Sequence, residues 1–251
     1  MTARQRAILV FLATLASVVL TLRLGFWQLD RAQQKLDLQA GIDANAKLPP
    51  LTSAALLPHA GAAQSQLHRH VSLRGRWLQD KTIYLDNRPM AGRFGFLLVT
   101  PLLLEGRTEA ILVQRGWVPR DAADRSRLPL LPPLPTGAVE VLGRLTATPS
   151  KVYQLAGDEK GVIRQNLDAR AYGEEIAQPL LPLTVLQLDS GGDASTALAA
   201  DGLLRDWPSP DLGLHKHYGY AFQWFALSAL LIGLYVWFQT IRPRLRARRQ
   251  Q

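Results

Sequence analysis

The sequence predicts a membrane α+β protein: two transmembrane helices, one near each end, flanking one β-rich extracytoplasmic domain for which a barrel is one closure. Three observations predict it: two apolar runs without a charge, arginines clustered outside both runs, and a middle region of short β-prone segments separated by turn residues.

The first apolar run, Ala7 to Leu22, is extended by Arg23, Leu24, Gly25, Phe26 and Trp27 to roughly 30 Å of helix, the thickness of a bilayer's hydrocarbon core. A cleaved signal peptide has a shorter apolar core and a small-x-small site, so this helix is expected to be retained. The second run, Tyr218 to Ile241, contains no charged residue. Arg4 and Arg6 precede the first run, and Arg242, Arg244, Arg246, Arg248 and Arg249 follow the second. These seven account for most of the net charge of +9, because the other basic residues nearly balance the 20 acidic ones. The basic character is therefore a topology signal and does not point to nucleic acid. The expected organisation is a cytoplasmic N-terminus (1–6), helix 7–27, a periplasmic domain (28–217), helix 218–241 and a basic cytoplasmic tail (242–251), in a bacterial inner membrane.

The helix-forming stretch after Trp27, with Leu29, Leu36 and Ile42 near helical spacing, carries the first helix out to about Ala46, before Pro49 and Pro50. A loop follows through Ala60, Gly61 and Ala62. From His68 the pattern turns β-prone, with strands expected at 71–78, 82–85, 94–101, 109–118, 139–146, 162–166 and 183–188, and turns at Leu85–Pro89 and Pro89–Gly92. Arg125 to Gly137, with Pro129, Pro132, Pro133 and Pro135, reads as an extended loop. Leu167 to Ile176 reads as a short helix opening with Asp168. The loop Asp189 to Leu214, with Gly191, Gly192, Pro208 and Pro210, leads to the second membrane helix.

Cysteine is absent, which excludes disulfides, a Cys-x-x-Cys redox site, covalent haem attachment and thiolate metal ligation. Nucleotide-binding, serine-hydrolase and zinc-protease motifs are also missing, and no catalytic activity is expected. His68 and His70, two apart in an expected strand, would share a face, but no acid or thiol completes a metal site. His59 lies in a loop. His215 and His217 stand at the entrance to the second membrane helix, about 200° apart around its axis, so only one of them can face a given cavity. His217 shares a stripe with Tyr220, Ala221 and Trp224. It is either a neutral imidazole ligand for haem iron or part of an interfacial aromatic belt. Arg23 either snorkels to headgroups or, with Arg31, faces His217 and holds an anion such as a haem propionate. For Arg88, Arg115 and Arg120, salt bridging to Asp86, Asp121 or Asp124 is the plainer reading, and a pocket with a carboxylate among them is the other.

Four motifs in order carry a resemblance: Leu24-Gly25-Phe26-Trp27-Gln28-Leu29-Asp30-Arg31, Tyr84-Leu85-Asp86-Asn87-Arg88-Pro89, Val113-Gln114-Arg115-Gly116-Trp117-Val118-Pro119, and His217-Tyr218-Gly219-Tyr220-Ala221-Phe222-Gln223-Trp224-Phe225. Together they resemble the Surfeit-locus (Surf/Shy) family of cytochrome c oxidase assembly factors, bacterial type, from about Leu24 to Phe225. The resemblance implies a non-enzymatic factor that assists haem a delivery or insertion into the oxidase's catalytic subunit. It also implies haem a as a transiently bound cofactor, with His217 on the iron and Tyr220 and Trp224 beside it. The catalytic subunit, the lipid bilayer and haem a synthase are the partners this reading brings in. A scaffold that stabilises the nascent subunit without binding haem is the alternative.

Overall fold

Good helix formers from the first apolar run onward, with no proline before Pro49, let one helix continue well past the membrane-length segment. The computed structural model has α1 over Ala3–Ala46, 44 residues and about 66 Å long. It describes residues 2–121, 123–124, 127–149, 160–189, 199–207 and 213–248. Gly191, Gly192, Pro208 and Pro210 of the last loop, Arg125 of the proline-rich one and Arg249 of the tail lie outside them. The chain divides into two units, one of residues up to 41 and from 210 onward, the other of residues 42–209.

In the first unit, α1 pairs with the helix that starts at Leu214; the short α2 (Ala60–Ala63) and α3 (Ala169–Glu175) belong to the second unit. This later helix, α4 (Leu214–Val236), passes through a π turn at Trp237–Ile241 into α5 (Arg242–Arg248). Both α1 and the run from α4 into α5 are long and apolar enough to cross a membrane. On α1, Val18, Thr21, Gly25, Gln28 and Ala32 recur at alternating three- and four-residue intervals, the seam expected of a two-helix pair, and all but Gln28 are buried. A Cβ on Gly25 would lie 2.6 Å from the Phe225 ring, so glycine sets the close approach there. The hydroxyls of Thr21 and Ser228 meet at 2.6 Å, and each also bonds a carbonyl of its own helix. Phe26 meets Phe225 edge-on, with ring centroids 5.3 Å apart.

The second unit holds seven strands: β1 (His70–Trp77), β2 (Ile83–Met90), β3 (Arg93–Leu104), β4 (Ala110–Pro119), β5 (Val139–Thr146), β6 (Ile163–Arg164) and β7 (Leu180–Gln187). Their order is β1-β5-β7-β4-β3-β2-β6, and β1 also pairs with β3, so the first five strands close into a barrel. β2 and β6 extend the sheet beyond it. Inward residues Leu73, Leu102, Leu104, Ile111, Val113, Leu145 and Val185 fill the barrel. The eight consecutive buried residues Gly95–Leu102 of β3 and nine of β4 arise because these strands are covered on both faces. One face carries Leu97, Val99 and Leu112 against Leu167, Tyr172 and Trp207, and on the other Phe96, Leu98 and Val118 pack against Leu203.

Two expectations are corrected. Leu85–Pro89 is not a turn: the strand runs through it with a register shift between Leu85 and Arg88, where Asn87 adopts φ 59°. Asparagine tolerates that left-handed conformation, and Pro89 is accommodated because β6 pairs only with Tyr84 and Leu85, leaving the strand's other side open. The hairpin turn is Ala91-Gly92, both at positive φ. His68 is not in a strand; it has φ 66° in the turn before β1, so it and His70 do not share a strand face. The proline-rich stretch is extended as expected, with Leu131 and Leu134, one polyproline turn apart, packed on the domain core.

α2 is one short turn (Ala60–Ala63). The other short helix, α3 (Ala169–Glu175), is capped by Asp168, which accepts from the backbone N–H groups of Arg170 and Ala171 at 3.0 Å. Its buried Tyr172 donates to the Lys81 carbonyl at 2.6 Å. Burial, reinforced by Glu175 and Asp80 and opposed by Arg164, pushes the phenol up to about 12. The unfolded chain's tyrosine titrates near 10, so it loses its proton first, and this group's stabilisation, complete below pH 10, is lost as pH rises toward 12. Between pH 9 and 12 the wild type is expected to lose about 2 kcal/mol more stability than Tyr172→Phe. Parallel stability curves for the two proteins would refute this.

Candidate functional site

The predicted ligand His217 lies in the first turn of α4, half-buried, with Nδ1 2.8 Å from Oε1 of Gln28 on α1. In this amide orientation the oxygen accepts, which matches the tautomer with the proton on Nδ1 and the lone pair on Nε2. His215 is exposed, as the 200° separation requires. Trp224 is half-buried on the same helix, while Tyr220 is 54% exposed and lies on the outer side of the stripe. Arg23 is exposed. Arg31 is also exposed, stacks over the Trp27 ring at 5.6 Å and donates to Gln34 Oε1 at 3.1 Å. The helix pair thus brings Gln28 to His217, and the interactions of Arg31 run along its own helix. Gln28 was missed in the sequence, although its seven-residue spacing from Thr21 and three from Gly25 puts it on the seam.

These residues suit a haem group as cargo. One imidazole nitrogen is free to ligate, its ring is held through the other, and indoles stand two helical turns along α4 at Trp224 and beside Gln28 on α1 at Trp27. No group of three His, Asp or Glu side chains disposed to hold a bare metal ion occurs among the described residues.

In the β domain the motif arginines are structural. Arg120 pairs with Asp86 at 3.0 Å, one of the expected partners. Arg115 instead reaches Asp201 at 3.4 Å, on a segment the sequence left as loop. Arg205 binds Asp201 as well, pairs with Asp189 at 2.7 Å and donates from Nε to the Arg115 carbonyl. Burial lowers the Arg115 guanidinium below the usual arginine range, and Asp201 opposes that shift. Arg115 is the extra residue of a bulge, since Gln114 pairs with Val99 and Gly116 with Leu98. Gly116 has φ 155° and its missing Cβ would lie 2.6 Å from Leu203, so the motif's glycine admits the segment that Arg115 and Arg205 pin down. Trp117 bonds Leu204 through both backbone groups. Arg88 donates to the Gln165 carbonyl at 2.7 Å. A cleft of about 700 Å³ beside Arg120 does hold a carboxylate, Asp121, but the Ala123 N–H and Arg127 keep it below the usual carboxylate range, unlike a general acid.

Comparison with known proteins agrees with this layout. The model of the SURF1 family matches residues 15–229. A SURF1-like protein of Rickettsia felis is 28% identical over 232 residues, covering 90% of this chain and 94% of the relative. A SURF1-like protein of Drosophila melanogaster is 29% identical over 252 residues, covering 90% of this chain and 75% of the relative. The yeast cytochrome oxidase assembly protein SHY1 is 26% identical over 106 residues, covering 41% of this chain and 26% of that protein. The matched span holds the barrel, all four motifs and the larger part of both helices, and the chain belongs to the SURF1 family.

Proposed function

We propose that this chain is a membrane-held assembly factor for cytochrome c oxidase whose helix pair binds haem a transiently through His217 before insertion into the catalytic subunit. Family membership and the yeast relative's name support the assembly role. The observation that carries the haem reading is the His217–Gln28 pair, which leaves one imidazole nitrogen free. A single protein ligand suits handover, because two strong axial bonds would have to break at once. Haem a synthase is the natural donor and the oxidase's catalytic subunit the acceptor.

Purified from cells making haem a, the wild type should carry haem and His217→Ala should lose most of it while remaining folded in the membrane; His215→Ala should change little. Equal haem in wild type and His217→Ala would favour the scaffold reading, in which His217 and Gln28 merely clamp two helices as Thr21 and Ser228 do. The arginines outside both helices support cytoplasmic termini and a periplasmic domain. A reporter active only in the periplasm should work when fused after Gly137 and fail when fused after Gln251. The reverse pattern would overturn this topology.

A further inference from the structure

We propose that Gln28 is the positioning residue for His217, an inference resting on the reading of His217 as haem ligand: Gln28 selects the tautomer that leaves Nε2 as the ligating nitrogen. A histidine free in water exchanges between tautomers, and the form with its proton on Nε2 cannot ligate through that atom. With the Gln28 amide oxygen turned to the ring, 2.8 Å from Nδ1, the tautomer protonated on Nδ1 gains this hydrogen bond and the other does not. Gln28 is placed to do this by the α1 seam, whose close approach at Gly25 and buried Ala32 hold its level of the helix against α4.

The Gln28–His217 pair differs from the Thr21–Ser228 pair two helical turns deeper. Those hydroxyls also bond their own helices, so each has a partner whichever way the helices pack. Among the described residues the His217 ring is the one partner of the Gln28 amide oxygen. The uncharged amide is also matched to transient binding. A carboxylate in its place would draw the imidazole toward imidazolate, strengthening the iron bond, and would put a charge at the mouth of a membrane helix pair. An amide orients the ring with little added basicity.

The test uses the full chain in detergent with ¹⁵N-labelled histidine, without haem and after co-production with haem a synthesis, as wild type, Gln28→Leu, Gln28→Glu and His217→Ala. In the haem-free wild type, His217 should show a protonated Nδ1 and an unprotonated Nε2. Gln28→Leu should shift the proton to Nε2 and weaken haem binding about 10- to 100-fold. Gln28→Glu should restore the wild-type tautomer and binding, with a raised iron–imidazole stretching frequency and a lowered haem reduction potential. A wild-type proton on Nε2, a tautomer unchanged in Gln28→Leu, or undiminished haem binding in Gln28→Leu would each overturn the positioning role. If the tautomers behave as expected but haem is absent from the wild type or unaffected by His217→Ala, the haem reading fails instead, and only the control of the ring by Gln28 stands.

Discussion

Asp201→Ala is expected to destabilise the β domain by about 3–5 kcal/mol, because it strips a shared carboxylate from two guanidiniums already out of water. Arg115 is 5% exposed and Arg205 3%, and neither side chain can swing to solvent without releasing the segment beneath it. Arg205 keeps Asp189 after the substitution, whereas Arg115, among the described residues, loses its carboxylate and keeps its stacking over Trp77, 5.7 Å away. A buried charge left alone costs more than the pair was worth. Adding Arg115→Met to Asp201→Ala should therefore recover part of the loss, although two polar groups are now gone. Thermal unfolding of the full chain in detergent reads both effects. A single variant as stable as wild type, or a double variant worse than the single, would show that the network is solvated and carries little.

Trp117→Ala should cost a similar amount, about 3–5 kcal/mol, or a fall of roughly 10 °C in Tm. The indole is 1% exposed and packs so closely on Gly95 that a Cβ there would come within 2.5 Å of the ring. Its Nε1 donates to the Arg88 carbonyl at 2.7 Å, so alanine leaves both a cavity and a buried acceptor without its donor. Trp117→Phe separates the two: it keeps most of the volume and should recover more than half the loss. If Phe is as damaging as Ala, the hydrogen bond rather than the packing dominates.

Much of this architecture was legible because it rests on local signals. The end of α1 at Ala46 follows from Pro49 and Pro50, the cap of α3 from Asp168, and β5 from an alternating run whose bounds match the structure. What was not legible depends on residues far apart in sequence. Leu85–Pro89 carries every mark of a turn, yet pairing with β3 draws it into a strand and turns Asn87 into a bulge residue. Closure by β1 and β3 joins residues about 30 apart with no motif to announce it. At the helix pair, the sequence could place His217 opposite His215 around the axis, but not say which residue of α1 it met. It offered two arginines because charge attracts attention, where the structure supplies a neutral amide.

The position of β7 has a consequence for how the chain is made. It is the last strand in sequence and lies between β4 and β5, parallel to one and antiparallel to the other. Of the barrel, a nascent chain that has not yet released Leu180–Gln187 can form the row β5-β1-β3-β4, whose two outer strands present unpaired backbone to any extended peptide nearby. Folding must wait for nearly the whole domain to leave the ribosome, and residues 199–207 then lock against Trp117 only a few positions before the second membrane helix. Premature truncation between β5 and β7 therefore yields a sticky open sheet rather than a smaller stable barrel, and that species is the one a quality-control protease would be expected to clear.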